Sequence, residues 1–316
     1  MEVGRKGIFF VAASLLLVTL IAVLLAFRSS PVADTGSFVV QNRVLSINNF
    51  IQTVDNDIQR GVFIAGFRGV VSLTQYVTST GLYLNSTQEQ FREVFLDGTL
   101  FGDPQPLMQD SSFSDWASRI SSEADKIGIS AEFQVQDVQI YPVNPWLVEV
   151  NISVLAEYRD ATNLAAWRQV KRSTALVNIT GFEDVSFSVG SFGRLARVVN
   201  QTPYEGNYVQ GTDTSNLRQH ILYGLYAASN SSPSFLMRLG GNFSGSPYGI
   251  ESFVYIPDFQ AQEIPTYELV RSSIDYLYFS NVTGLQLNKI NNTFESWLRI
   301  DDAHLQKYQV QSLVVP

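Results

Sequence analysis

The sequence predicts an α+β fold in which an N-terminal transmembrane helix and a helical segment precede an antiparallel sheet with packed helices. Three observations along the 316 residues support this prediction: an uncharged apolar run at the start, apolar residues at steps of three and four in the next segment, and a period of two between residues 129 and 187. Helices followed by strands favour α+β over a doubly wound sheet, in which the two alternate.

The first element is an apolar run from Ile8 to Phe27 that contains no charged residue. At about 1.5 Å per residue this run forms a helix of roughly 30 Å, the thickness of a bilayer's hydrocarbon core. Arg5 and Lys6 flank its start, and positive flanks stay in the cytoplasm. We therefore expect a single-pass protein of the cell membrane, in contact with lipid, with a cytoplasmic N-terminus and the bulk of the chain extracellular. A removed secretory signal is the alternative, but its apolar region usually spans only about 7 to 15 residues.

This assignment divides the chain into four parts. We expect a cytoplasmic leader at residues 1–7, the transmembrane helix at 8–27, a hinge at 28–36 and an extracellular α+β domain at 37–316. Within that domain we expect one compact unit, with two lobes that meet near residue 200.

A long amphipathic helix follows the hinge. Its apolar residues predict one buried stripe, formed by Val44, Ile47, Ile51, Val54, Ile58 and Val62. From Val62 to Val77 the segment is apolar nearly all round and contains Gly66 and Gly69, each unfavourable by roughly 1 kcal/mol relative to Ala. We expect this part to be central, kinked or split. A core helix under a sheet is favoured over a continuous stalk, because Pro31 interrupts the connection to the membrane run.

The remaining elements are marked by their ends and by their period. Ser112 with Asp115 predicts a capping box, Gly128 closes that helix, and its inner face is expected to consist of Trp116, Ile120, Ala124 and Ile127. Shorter helices are expected at residues 88–96 and 216–228. Three period-two runs follow residue 129, with turns at 142–145 and 160–163, and they predict an antiparallel meander.

Sequons for N-glycosylation are more frequent than the roughly three expected by chance, and all follow Phe27. In the predicted strands the side chain of Asn151 points to the face away from its apolar neighbours Val150 and Ile152. The side chain of Asn178 likewise points away from Val177, so neither asparagine would bury a sugar. We expect glycans on Asn85, Asn151, Asn178, Asn200, Asn230, Asn242, Asn281 and Asn291.

Composition limits the partners and the chemistry. Charged residues make up 16% of the chain against roughly 25% in ordinary soluble domains, and the net charge of −8 argues against a nucleic-acid partner. The absence of cysteine excludes thiol catalysis and cysteine-ligated metals. Since exported eukaryotic domains commonly carry disulfides, a sequon-rich domain without cysteine indicates an archaeal envelope protein.

The N-terminus, Arg5-Lys6-Gly7-Ile8-Phe9, resembles the processing site of archaeal type IV pilin-like proteins, which carry class III signal peptides. The resemblance implies that a prepilin-type peptidase cuts between Gly7 and Ile8. It also implies that residues 8–27 anchor the protein or pack into a filament core with pilin-like or other envelope proteins. Many pilins have Glu five residues after the cut, whereas this chain has Ala12, which favours a minor over a major subunit.

Four downstream blocks are similar to segments of uncharacterised archaeal surface proteins with pilin-like starts. They span residues 181–184, 232–239, 248–252 and 274–279. This similarity implies a location at the cell surface and no activity.

Tests for chemistry give little support to an enzyme. His220 and His304 lie outside any zinc-binding frame, and a Gly-x-Ser-x-Gly elbow, a P-loop and a Rossmann glycine pattern are absent. Asp301 and Asp302, with Glu295, are expected to be solvated surface rather than a glycosidase pair. The acidic run at residues 55–57 lacks the spacing of a calcium loop. We therefore expect no catalytic residue, no metal and no cofactor.

The sequence thus favours a membrane-anchored, N-glycosylated cell-surface protein with a structural or adhesive role, such as a minor pilin-like subunit. The alternative is an extracytoplasmic ligand- or protein-binding module on an uncleaved signal anchor. A membrane-anchored surface enzyme is a third, less favoured class.

Overall fold

A long helix that packs against an antiparallel meander forms the centre of the fold. The computed structural model describes residues 3–28, 35–291 and 296–315, and these residues form an α+β fold with antiparallel sheets, as the sequence predicts. The helices in the described residues are α1 (Val3–Arg28), α2 (Thr35–Thr80), α3 (Thr87–Asp97), α4 (Phe113–Lys126), α5 (Val185–Gly190), α6 (Ser215–Leu222), α7 (Phe235–Leu239), α8 (Ile256–Ala261), α9 (Asp275–Phe279) and α10 (Asp302–Leu305).

The strands of the described residues form four separate sheets. Their bounds are β1 (Thr99–Leu100), β2 (Asp103–Pro104), β3 (Ile129–Asn144), β4 (Leu147–Asp160), β5 (Ala166–Asn178), β6 (Ala227–Ala228), β7 (Ile250–Glu251), β8 (Leu287–Ile290), β9 (Arg299–Asp301) and β10 (Val314–Val315). The sheet orders are β1-β2, β3-β4-β5, β6-β7 and β10-β8-β9.

Helix α1 covers the apolar run, so the helical conformation predicted for residues 8–27 is confirmed. Its described side chains, Phe10 to Leu25, are all exposed. Within the described part of the chain, no helix combines the length and the apolar character that crossing a bilayer requires. The transmembrane assignment is therefore not confirmed and stays a prediction. Residues 1–2 of the leader and 29–34 of the hinge lie outside the described residues, while the two ends of the hinge, Arg28 and Thr35–Gly36, are helical.

Helix α2 is continuous over 46 residues, so it is central, as expected, but it is not split. Three of its glycines allow close packing. A Cβ added at Gly61 would lie 2.7 Å from the Trp116 ring, and one at Gly66 would lie 3.0 Å from Val150. At Gly69 the nearest atom, in Phe91, would be 3.3 Å away. Tertiary packing thus outweighs the low helix propensity of glycine.

The predicted meander is confirmed as β3-β4-β5, with each neighbouring pair antiparallel. Val148, Val150, Ile152 and Val154 alternate on the buried face against α2, as period two requires. The second turn is fixed by Asp160, whose carboxylate accepts hydrogen bonds from the Thr162 amide at 2.9 Å and from Arg43 Nε of α2 at 2.7 Å. The start of the long helix is therefore tied to the tip of the hairpin.

Helix α4 has the predicted capping box, in which the Ser112 hydroxyl accepts from the Asp115 amide at 3.1 Å and the Asp115 side chain accepts from the Ser112 amide. Gly128 follows the helix with φ +70°, as expected. One predicted inner residue is wrong: Ile127 is 49% exposed, because the helix has ended at Lys126 and the chain turns there.

After Asn178 the regular elements are short. A helix is present where one was expected at 216–228, but the predicted length is wrong, because α6 ends at Leu222. Gly224 then takes φ +56°, and residues 227–228 form β6. The longest helix in this part has eight residues and the longest strand has four. Buried side chains from both parts, Ile47 to Val310, belong to one hydrophobic cluster.

Candidate functional site

The sequon asparagines are distributed over the outside of the protein. Seven of the eight are exposed, and Asn151 is half-buried. Asn151 lies on the face of the meander that points away from the buried Val150 and Ile152. In the strand register it is paired with Gln139 of β3 and Thr174 of β5. All eight asparagines are therefore outside the packed interior, which glycan attachment requires, and the presence of the glycans themselves stays a prediction.

The predicted processing site lies in the first turns of α1. The backbone of Arg5, Lys6, Gly7 and Ile8 is helical, and their side chains lie outside those that the structure describes. Cleavage between Gly7 and Ile8 stays a prediction.

The four downstream sequence blocks converge on one buried cluster of charges. Each block contributes a polar side chain: Asp184, Arg238, Ser252 and Asp275. Arg238 Nη1 donates to Asp184 Oδ2 at 2.7 Å and to Asp275 Oδ2 at 2.9 Å, and Ser252 Oγ donates to Asp275 Oδ2 at 3.1 Å. All four residues are at most 1% exposed. We call these four residues, with Tyr226, the arginine cluster.

Each member of the arginine cluster is positioned by its element. Asp184 caps α5, since its Oδ1 accepts from the Ser186 amide at 2.9 Å. Its Oδ2 also accepts from the Tyr226 hydroxyl at 2.8 Å. Arg238 lies in α7, and its second terminal nitrogen donates to the Ile250 carbonyl of β7. The cluster thus ties three helices and the β6-β7 region together.

Two carboxylates share one guanidinium in this cluster, and the pKa values of Asp275 and Arg238 are shifted there. Burial raises the pKa of Asp275 to about 6, against the lowering effect of Arg238. Burial lowers the pKa of Arg238, but the charges of Asp184 and Asp275 outweigh it and raise the pKa above its usual value. Because the pKa of Asp275 is raised from 3.8, its contribution to stability is complete below pH 3.8 and is lost as the pH rises through about 6.

A second buried group, the histidine cluster, adjoins the first through the neighbouring residues Glu251 and Ser252. Nδ1 of His304 lies 2.7 Å from Asp301 Oδ1, and Nε2 lies 3.4 Å from Glu251 Oε2. Glu251 Oε1 is also 2.7 Å from Lys307 Nζ and accepts from the Tyr308 hydroxyl at 2.8 Å. Glu251, Asp301, His304, Lys307 and Tyr308 make up this cluster.

The shifted pKa values of His304 and Glu251 favour the charged forms of these two residues. Burial lowers the pKa of His304, but the hydrogen bonds with Asp301 and Glu251 outweigh it and raise the pKa to about 9. Burial raises the pKa of Glu251, but His304 and Lys307 outweigh it and lower the pKa to about 2. The stability from His304 is therefore complete below pH 6.5 and lost as the pH rises through about 9. The stability that Glu251 contributes is complete above pH 4.5 and is lost as the pH falls through about 2.

This chemistry favours a structural role. A histidine that is cationic near neutral pH cannot serve as a general base there, and His304 is only 3% exposed. His220 is fully buried, its Nδ1 lies 3.0 Å from the Thr202 hydroxyl, and burial lowers its pKa to about 3. It packs among Tyr208, Phe253 and Tyr308. These contacts favour a structural role for His220.

The acidic candidates from the sequence have protein partners. Asp301 is 4% exposed and accepts from the Ser272 hydroxyl, so expecting it at the surface is wrong, whereas Asp302 is exposed. Glu295 lies outside the described residues. Asp55 pairs with Lys171 at 2.9 Å, and Asp57 accepts from the Trp116 indole at 2.8 Å. In the described residues no group of three or more ligating side chains could hold a metal ion.

Three cavities lie on the helix and the meander. One of about 380 Å³ separates α2 from residues 180–183, and one of about 550 Å³ separates α2 from β5. A third, of about 400 Å³, is on the meander, where Glu157 is paired with Arg168 at 2.9 Å. None of the described residues that line these three cavities is a histidine.

The sequence alone does not predict the arginine cluster, although four of its five residues lie in the four downstream blocks. The available pattern was an arginine inside the apolar run of α7, Phe-Leu-Met-Arg-Leu. Since a buried arginine must be paired, that pattern predicts acidic partners but does not identify them.

Comparison with known proteins gives no relatives. No family model, no curated protein and no solved structure matches the chain. The resemblance to pilin-like proteins therefore stays a prediction.

Proposed function

We propose that this chain is a membrane-anchored, N-glycosylated cell-surface protein with a structural or adhesive role, of the minor pilin-like type. The observation that carries the proposal is the apolar surface of α1. Leu15, Leu16, Leu17 and Val18 are 65, 67, 61 and 62% exposed, and at about 100° per residue these four consecutive residues lie on different sides of the helix. Such a surface needs an apolar environment, which lipid or a bundle of equivalent helices provides.

The order of elements supports the same proposal. Arg5 and Lys6 precede the apolar run, and the large α+β part follows it. With the positive flank in the cytoplasm, that part would be exported.

The sequon distribution is a second, independent support. All eight sequons lie in the exported part, and their asparagines are exposed or half-buried. An N-linked glycan needs such access, and none of the eight would force a sugar into the core.

The test is the fate of the full chain in an archaeal host that has a prepilin-type peptidase. We expect the protein in the membrane or in sheared filaments, with Ile8 as the first residue by mass spectrometry and glycans on several sequon peptides. A Gly7→Leu variant should keep its leader, while Gly36→Leu, outside the processing site, should be cut normally.

The outcomes separate the proposed roles. Recovery from filaments with a mature Ile8 would support a pilin-like subunit. A chain that still begins at Met1 or Glu2 would contradict processing and leave the binding module on an uncleaved anchor. A fully cytosolic, unmodified chain would overturn the proposal.

A further inference from the structure

A fourth cavity differs in chemistry from those along α2. It has a volume of about 410 Å³ and lies between the segment that leads into α3, the end of β3, and α7 with its following loop. This is within the range of small-molecule sites, roughly 300 to 1,000 Å³. We call it the α3–α7 cleft.

The lining of the α3–α7 cleft is neutral. None of its twelve residues is Asp, Glu, Lys, Arg or His. Aliphatic side chains such as Leu84 and Leu236 alternate with hydroxyl and amide groups such as Thr87 and Ser246. A charged ligand would find no counter-charge here, whereas a neutral ligand with both hydroxyl groups and C–H faces would match this lining.

One buried polar group in the lining has no partner within the described protein. Ser234 is 1% exposed, and its Oγ neither accepts nor donates a hydrogen bond within the described residues. It is the N-cap residue of α7, yet its side chain does not cap the helix. A buried hydroxyl without a partner is unfavourable, and rotation of the Ser234 side chain toward the cleft would let its hydroxyl bond to a ligand hydroxyl.

The walls of the cleft are fixed by the protein itself. The Gln88 amide donates to the Val138 carbonyl at 2.8 Å and accepts from the Ile140 amide at 3.0 Å, which holds α3 to β3. The Leu84 amide donates to the Leu239 carbonyl at 2.9 Å, which joins the segment before α3 to the end of α7. The shape therefore exists before any ligand binds, which reduces the ordering that binding requires.

Two sequon asparagines, Asn85 and Asn242, line the cleft. Both are exposed. Asn242 uses Oδ1 to accept from the amide and the hydroxyl of Ser244, at 3.0 and 2.7 Å. These bonds do not involve Nδ2, the atom to which a glycan is attached. A sugar on either asparagine would begin at the rim of the cleft.

We propose that the α3–α7 cleft binds neutral sugar residues, through the Ser234 hydroxyl and the adjacent aliphatic surface. The sugars come either from the glycan on Asn85 or Asn242 of the same chain or from a free oligosaccharide. The first source rests on the export and glycosylation that we propose for this protein, and the second does not.

The first experiment tests the chain's own glycan in protein made in the glycosylating host. Melting temperatures are compared for the full chain and its Asn85→Gln, Asn242→Gln and Asn200→Gln variants, the last being exposed and outside the cleft lining. We expect a loss of about 2 to 4 °C for at least one cleft variant and less for Asn200→Gln. In a Ser234→Val background this difference should disappear.

The second experiment uses full chain made without glycosylation, with N,N′-diacetylchitobiose and maltotriose as probes in saturation-transfer NMR. We expect binding of at least one sugar, weakened about tenfold or more by Ser234→Val. A Met237→Trp variant, which fills the half-buried rim, should also weaken binding. Near-UV circular dichroism checks that both variants fold.

The inference is overturned if the unglycosylated chain binds neither sugar and the three asparagine variants melt alike. It is also overturned if a neutral peptide of Gly, Ser and Asn binds in the cleft and both sugars do not. Glycopeptide mass spectrometry separates the two proposals. An absence of glycans at every sequon contradicts the proposed glycoprotein, while sugar binding by the unglycosylated chain still supports the cleft.

Discussion

Replacement of Arg238 by methionine should strongly destabilise the protein. Methionine keeps much of the volume but leaves Asp184 and Asp275 buried without their counter-charge, since both bond to the same Arg238 nitrogen at 2.7 and 2.9 Å. Removing one partner of a buried ion pair costs about 3 to 5 kcal/mol. We therefore expect the ratio of folded to unfolded protein to fall by about two to four orders of magnitude.

The assay is urea unfolding of the full chain in detergent micelles, followed by tryptophan fluorescence, with the midpoint and slope compared between variants. Lys126→Met is the matched control, because it breaks the pair with Glu123 in which both side chains are about two-thirds exposed. Such a pair contributes about 0.2 to 1 kcal/mol. A third variant combines Arg238→Met with Asp184→Asn and Asp275→Asn, and it should recover much of the stability. If Arg238→Met costs no more than Lys126→Met, or if the triple variant is no better than the single one, the reasoning about uncompensated charge is refuted.

Three further predictions concern stability and use the same unfolding assay or thermal melts. Gly61→Ala should destabilise the protein by about 1 to 3 kcal/mol, because the added methyl group would overlap the Trp116 indole ring. Gly69→Ala, whose methyl group would lie 3.3 Å from Phe91, should be near neutral. Equal effects of the two substitutions would contradict the packing argument. Ser112→Ala should cost about 1 kcal/mol by removing the capping box of α4, and no change would show that the cap is dispensable. The melting temperature should be highest near pH 4 to 5 and fall toward pH 9. Asp275→Asn should flatten the decline between pH 4 and 6, and His304→Gln should flatten the decline between pH 6.5 and 9. Unchanged profiles in these variants would contradict the assigned titrations.

The fold could be predicted from the sequence where the pattern is local. The capping box of α4 and the alternation around Val150 are both contained within a few residues, so the helix start and the meander were predicted correctly. The continuity of α2 was not predicted, because Gly61 and Gly66 are compatible with a helix only through the side chains of α4 and β4 that pack against them.

The arginine cluster could not be predicted for the same reason. Asp184 and Arg238 are 54 residues apart, and Arg238 and Asp275 are 37 apart. Composition and periodicity carry no information on pairing over such separations. The α3–α7 cleft likewise requires segments from three elements to be brought together, although the sequence had already identified the two asparagines at its rim.

The two buried clusters also constrain when the part after Asn178 completes its structure. They connect residues from Asp184 to Tyr308, across helices and strands too short to persist alone. During synthesis, the contacts to Asp301, His304, Lys307 and Tyr308 cannot form until these residues have left the ribosome. We therefore expect this half to acquire its structure late and in a single cooperative step, and any truncation before residue 304 to leave it unfolded.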